Sequence, residues 1–185
     1  LFPIAKDVKI QVEWNPARVS EYRLIGYENR ALKEQEFRDD KVDAGDIGAG
    51  HRVTALYEIA PPGAVATTET GSKLKYGGKG SFSEPTEATP LDRELFTVRL
   101  RYKNPGEETA REIEAAHPAD FKSPSDNFRW SSAVAAFGML LRHSPHRGDS
   151  NIAMILELAE GSVGEDPRGH RREFIELVRR IAPAF

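Results

Sequence analysis

Residues 4–14 read IAKDVKIQVEW, and from Val8 onward apolar and polar side chains alternate, with Val8, Ile10, Val12 and Trp14 set against Lys9, Gln11 and Glu13. A period of two residues is the mark of a strand with one buried and one wet face. Asn15-Pro16 breaks the run, and EYRLIGY (21–27) offers a second strand, Tyr22 and Leu24 alternating with Arg23 and Ile25, with Gly26 as a bulge position. The stretch 30–37 favours helix by composition but has no apolar stripe, so it reads as a short connection. HRVTALYEI (51–59) sets Val53, Ala55, Tyr57 and Ile59 on one side, and Leu56 on the other suggests burial on both faces. LFTVRLRY (95–102) returns to alternation, Phe96, Val98, Leu100 and Tyr102 inward, Arg99 and Arg101 outward. Asn104-Pro105-Gly106-Glu107 is a turn by composition, and residues 109–115 are expected to pair back as another strand, although their residue preferences would also allow helix.

Between these strands, residues 61–92 are rich in Pro, Gly, Ser and Thr. Connections in domains usually run about 4–6 residues, so this segment is expected to be a flexible excursion or to hide an irregular hairpin near Leu74 and Tyr76.

After about Ser123 the period shifts to near 3.6. Ser123 at N-cap, Pro124 at N1 and Asp126 at N3 predict a helix over 128–142, whose middle, AVAAFGMLL, is apolar all round and suits a central position. Ala135 and Gly138 would let another backbone approach. Asp149 or Ser150 caps a second helix with Ile152, Ile155, Leu156 and Ala159 inward, and Gly161 stops it. Asp166-Pro167 opens a third, with Phe174, Leu177, Val178 and Ile181 inward and Glu176 reaching Arg180 outside. Strands followed by helices predict an α+β fold: an antiparallel sheet or sandwich over about 1–120, then a three-helix unit over 121–185 packed on it as one continuous body.

The 185 residues carry 26 Lys+Arg against 29 Asp+Glu, a net charge of -3, so no global basic field exists to hold nucleic acid or an anionic membrane. With no cysteine, disulfides, thiolate catalysis and Cys-ligated zinc are excluded together. The longest apolar run, 133–141, is far shorter than the roughly 18 residues of a membrane span. The chain starts at Leu1 with its pattern under way by Ile4 and no leader-like n-region or h-region, which reads as an excised piece.

Reactive groups are thinly spread. Asp39, Asp40, Asp43 and Asp46, punctuated by Gly45, Gly48 and Gly50 and followed by His51, form the candidate site for a hard cation, with Asp40, Asp43 and Asp46 as its metal ligands. The spacing misses the EF-hand pattern, and the plainer reading is a solvated turn. Neither the 45–50 glycines nor Gly77-Gly78-Lys79-Gly80-Ser81 fits a nucleotide loop, since strand, helix and Ser/Thr fall in the wrong places. His143 and His146 flank Pro145 with no third ligand nearby and read as a helix-end loop. Arg147-Gly148-Asp149 spells a tripeptide that integrins read, and is the candidate binding motif; a turn at Gly148 and a cap at Asp149 explain it more simply. Trp14 and Trp130 read as core anchors, and Arg168, Arg171 and Arg172 as a solvated helix start. No catalytic residue is assigned.

Three segments carry a family resemblance: 42–51 (VDAGDIGAGH) running into VTALYEI, the helix FRWSSAVAAFGMLLRHSPHRGD, and the close RREFIELV. Together with the IAKDVKIQVEWNP start, the chain over essentially its whole length resembles the C-terminal region of bacterial von Willebrand factor type A domain proteins of the YfbK type. The resemblance implies a neighbouring A domain as partner, a divalent cation in that domain, and an envelope or extracytoplasmic setting. The Asp-x-Ser-x-Ser loop of the A-domain metal site is absent from these 185 residues, so no metal ligand is carried over and no cofactor is expected here. The expected function is a non-catalytic accessory or interaction module. The alternatives are a metal-dependent hydrolase using the Asp39 to His51 region, and a surface adhesin using the 61–92 segment or Arg147-Gly148-Asp149.

Overall fold

Alternation becomes sheet where the sequence demands it. The computed structural model describes residues 2–27, 32, 34–63 and 93–185; of the 61–92 excursion, residues 64–92 lie outside the described residues, as do Leu74, Tyr76 and the 77–81 glycine segment. Six strands come first: β1 (Pro3–Trp14), β2 (Glu21–Ile25), β3 (Gly45–Gly48), β4 (Leu56–Ala60), β5 (Glu94–Lys103) and β6 (Ala110–Pro118). Three helices follow: α1 (Asp126–Leu141), α2 (Ile152–Glu160) and α3 (His170–Ile181). The architecture is the α+β order expected from the change of period. Two units are distinguished, a β unit ending at Asp120 and a helical unit from Phe121 to Phe185.

In the β unit an antiparallel sheet runs β3-β1-β5-β6, and β2 and β4 form a separate two-stranded ribbon. The turn between β5 and β6 is closed by the Glu107 N–H donating to the Asn104 carbonyl at 3.0 Å, with Gly106 at φ +85°. Between the Lys6–Lys103 and Lys9–Arg101 pairs, β1 has two residues, Asp7 and Val8, where β5 has only Tyr102. This is a β-bulge, and Asp7 takes it at φ +50°, a conformation that aspartate tolerates better than branched residues do. The bulge lets β1 keep Lys6 and Lys9 on one face of the sheet. The ribbon meets the sheet through Trp14, whose ring lies 5.8 Å from Tyr22 and 5.4 Å from Tyr57, while Phe96 stands 5.1 Å away on the neighbouring strand. Edge and tilted ring contacts of this kind add to plain area burial. Desolvation in this cluster raises the Tyr57 phenol above its ordinary pKa.

Two strand expectations need correction. The glycine-rich 42–50 stretch is not only a turn: Gly45–Gly48 pairs with the first half of β1 as an edge strand, because tertiary pairing overrides the poor strand propensity of glycine. The strand expected over 51–59 begins only at Leu56, and Val53 is exposed, since β2 offers partners just from Glu21 to Ile25.

In the helical unit, Ala136, Phe137, Leu140, Ile155 and Val178 form one buried cluster and Ala133, Ala159 and Ile175 a second beside it. Phe174 joins them, its ring 5.2 Å from Trp130 and 5.3 Å from Phe137. Every capping residue lies beyond the expected one, although α1 itself begins at Asp126, two residues before the predicted 128. Ser125, not Ser123, caps α1, its Oγ accepting from the Phe128 N–H at 3.2 Å. Asn151, not Asp149 or Ser150, caps α2, its Oδ1 accepting from Met154 at 3.0 Å. For α3 the helix begins at His170 after Gly169, while Asp166 reaches forward to accept from the N–H groups of Arg171 and Arg172 at 3.1 and 3.0 Å. Two of three cap signals therefore named a polar neighbour of the residue whose oxygen meets the free amides. α1 closes with His143 at φ +49°, its N–H bonded to Leu140 and that of Ser144 to Met139, which is a Schellman closure. On α3 Phe174, Val178 and Ile181 face the core as expected and Ile175 joins them, whereas Leu177, 48% exposed, does not. Glu176 pairs with Arg179 at 2.5 Å, the i,i+3 partner in place of Arg180. No atom among the described residues comes within 4 Å of a Cβ built on Gly138, so the close approach expected there is not seen.

Ile155→Ala is expected to destabilise the helical unit by about 2–5 kcal/mol, while Leu177→Ala costs about 0.5 kcal/mol or less, read by urea unfolding. Equal costs would show that α3 buries the other stripe. His143→Gly relieves a left-handed backbone and should stabilise by about 0.5–1 kcal/mol in the same assay; a loss would give the imidazole a role that outweighs its backbone.

Candidate functional site

Alternation along β5 sends Arg99, Arg101 and Lys103 to one face of the sheet and Val98, Leu100 and Tyr102 to the other, and opposed residues of antiparallel neighbours share those faces. On the charged face each cation meets acids from adjoining segments. Arg99 donates to Glu13 at 2.5 Å and to Glu114 at 2.7 Å, tying β1 to β6 across β5. Arg101 holds both Asp40 oxygens, at 3.0 and 3.1 Å, with Glu112 at 3.7 Å. Lys103 donates to Asp7 at 2.8 Å, and this bond, ahead of the opposing effect of burial, holds the Asp7 carboxyl below its ordinary pKa. Hydrogen bonding to Glu13 and Glu114 likewise raises the Arg99 guanidinium.

Over this face lies the segment 34–40. Phe37 is buried, Arg38 reaches Glu112 at 3.3 Å, and beneath it Lys9, only 3% exposed, donates through Nζ to the carbonyls of Glu36 and Asp39 at 3.2 and 2.5 Å. A residue read as the wet side of the first strand is thus one of the most buried in the β unit. Its ammonium satisfies carbonyl groups at the end of the short 3-10 turn Glu34–Phe37.

This geometry disperses the candidate cation site. Asp40 faces Arg101; the Asp39 side chain accepts from the Lys41 N–H at 2.9 Å; and Asp46 accepts from the Asp7 N–H at 3.3 Å. His51 begins the exposed stretch before β4. Among the described residues no group of three or more His, Asp or Glu side chains is placed to hold a metal ion. Arg147, Gly148 and Asp149 lie on the α1–α2 connection and line, together with Leu140, Ile152 and Phe185, an open hollow of about 510 Å³. Gly148 does make the turn there, at φ +52°.

Sequence reasoning missed Arg171. Read as part of a solvated basic patch, it donates to the Ser162 and Val163 carbonyls at 2.8 and 3.1 Å and to Asn127 at 2.7 Å, with its guanidinium 5.0 Å from the Trp130 ring centre. One side chain thereby joins all three helices. The long separation of Asn127 and Trp130 from Arg171 left no local signal.

The other face of the sheet is apolar and arranged in rows: Trp14–Phe96–His117, Val12–Val98–Ala115 and Ile10–Leu100–Ile113. Tyr22 and Tyr57 of the ribbon meet Trp14, and further along the same row the exposed His117 stacks on Phe96 at 5.0 Å. At the far row Ile10 is 48% and Ile113 53% exposed. Contiguous aliphatic rows left open on a sheet face are a common feature of contact surfaces.

Residues 1–183 match the family described as "Uncharacterized protein YfbK, C-terminal". A curated relative, "Uncharacterized protein YfbK" of Escherichia coli (strain K12), is 39% identical over 178 residues, which is 96% of this chain and 30% of the relative. No solved structure matches. The chain belongs to the YfbK C-terminal family, and it spans about a third of the length of that relative.

Asp7→Asn should lower the unfolding midpoint of the β unit by a few degrees at pH 7, since asparagine also accepts a left-handed φ and only the ion pair is lost. A depressed carboxyl pKa stabilises above the unfolded value and loses that contribution as pH falls through the folded value, so the gap between the two proteins narrows only below about pH 4. A gap independent of pH would assign the effect to the bulge and not to the charge.

Proposed function

We propose that the chain is a non-catalytic accessory module that adjoins a von Willebrand factor A domain in a bacterial envelope protein and acts through protein contacts. The observation that carries this reading is the contrast between the two faces of the sheet. Arg99, Arg101, Lys103, Asp7 and Asp40 are held in pairs with one another or with neighbouring acids, while Ile10 and Ile113, on either side of the half-buried Leu100, stand open. Cations neutralised within the fold are poorly placed for acid–base work or for anion capture, and an open aliphatic row gains free energy only by meeting another apolar surface.

Family membership supports the setting. The curated relative is about three times as long as this chain, so most of it lies elsewhere in the polypeptide. The resemblance carried by residues 42–51, the α1 segment and RREFIELV supplies the A domain as the neighbour, with the divalent cation bound there. In this reading the module positions or steadies that domain, and movement of the domain is felt by the sheet.

Calorimetry of the chain alone, of a separately made A domain, and of the two joined provides the test. The joined protein should show at least one transition shifted by several degrees, and titration of one part onto the other should give a binding signal. Superimposable transitions together with a flat titration would overturn the proposal.

A further inference from the structure

We infer that the open Ile10–Leu100–Ile113 row is the seat for the part of the polypeptide that precedes this domain in full-length members of the family. The inference rests on the accessory-module reading and names the surface through which the module works. The row is built by register: Ile10 opposes Leu100, and Leu100 opposes Ile113, so three strands present one aliphatic strip. The adjoining Val12–Val98–Ala115 row extends it toward Trp14, against which Tyr22 and Tyr57 are packed. The strip therefore runs on toward the half-buried Trp14 and Phe96, and exposure rises away from them, to Ile10 and Ile113.

Its occupant follows from size and tether. The matched family is the C-terminal part of its protein, and this chain accounts for 30% of the curated relative, so the larger share of such a polypeptide runs into the domain at β1. Ile10 stands seven residues beyond Pro3, about 23 Å at the rise of an extended strand, within reach of a domain attached there. Two isoleucines and a leucine fall well short of the roughly 800 Å² per partner of a stable interface between free proteins. For a tethered neighbour the effective concentration is on the order of millimolar, and a small aliphatic strip is then enough. The charged face offers less, because the segment 34–40 lies on it and its cations are paired. The complementary surface is aliphatic and uncharged at its centre, since any charge set against Ile10 and Ile113 would be desolvated without a partner.

The chain contains no cysteine, which makes thiol labelling a clean test. Ile113→Cys and Ile10→Cys are placed singly in the 185-residue chain and in a full-length family polypeptide freed of other cysteines, with Val53→Cys, 56% exposed and outside the sheet, as reference. Alkylation at positions 113 and 10 should be at least about tenfold slower in the full-length protein than in the chain alone, with position 53 unchanged; a tenfold change corresponds to about 1.4 kcal/mol. Equal rates overturn the inference, and so does slow labelling already in the 185-residue chain, which would mean the chain covers its own strip. If rates are equal but joining the parts still shifts their unfolding, only the surface assignment falls. If neither changes, the accessory-module reading falls with it.

Discussion

An extra residue in the first strand decides what each face of the main sheet presents. With Asp7 and Val8 opposite Tyr102, β1 resumes pairing at Lys9, which places Lys9, Gln11 and Glu13 beside Arg101, Arg99 and Thr97 and leaves Ile10, Val12 and Trp14 beside Leu100, Val98 and Phe96. Without the bulge, every side chain before or after it would exchange faces, because the side-chain period of a strand is two. The left-handed backbone at Asp7 and the Lys103–Asp7 bond fix the bulge from both sides, and the Asp7 N–H finds Asp46 on the edge strand. A backbone irregularity, an ion pair and an edge strand thus form one interdependent feature.

The two units answer different physical problems. The β unit buries few large side chains, among them Val19, Phe37 and Leu95, and binds its strands with cross-strand ion pairs whose arginines and lysine are only 12–20% exposed. Such pairs gain more than fully exposed ones, and in a network one ordered guanidinium serves two carboxylates. The helical unit relies on fully buried Ile155, Ala159 and Val178, with Arg171 drawing the ends of its three helices together. Its cohesion is mainly apolar and correspondingly insensitive to ionic strength.

Alternation and helical period were legible in the sequence because each reports on a single element. The sets Phe96, Val98, Leu100 and Tyr102 against Arg99 and Arg101 take opposite faces of β5, and Ile155 with Ala159 is buried as its spacing demands. What was illegible depends on partners distant in the chain. Lys9 looks wet until residues 34–40 fold over it; Gly45–Gly48 looks like turn until β1 supplies a ladder; Arg171 looks solvated until Asn127 and Trp130 meet it. Of the candidate site, the motif 147–149 was located correctly on a turn, whereas the aspartates 39–46 suggested a shared cation because composition cannot show that Arg101 and the Asp7 N–H meet two of them.

The faces of the sheet therefore differ in more than polarity. On the charged face each favourable contact is directional and already has its acceptor, so a newcomer must first break an existing bond and desolvate what it exposes. On the apolar face the contacts are non-directional, and the ribbon holds Trp14 while Ile10 and Ile113 stay exposed. A surface of that kind accepts any well-fitting aliphatic partner but binds it weakly, since burial of a few side chains hardly offsets the loss of free translation and rotation. Covalent attachment removes most of that entropic cost. The physical character of the open strip thus suits a permanent neighbour in the same polypeptide better than a freely diffusing ligand.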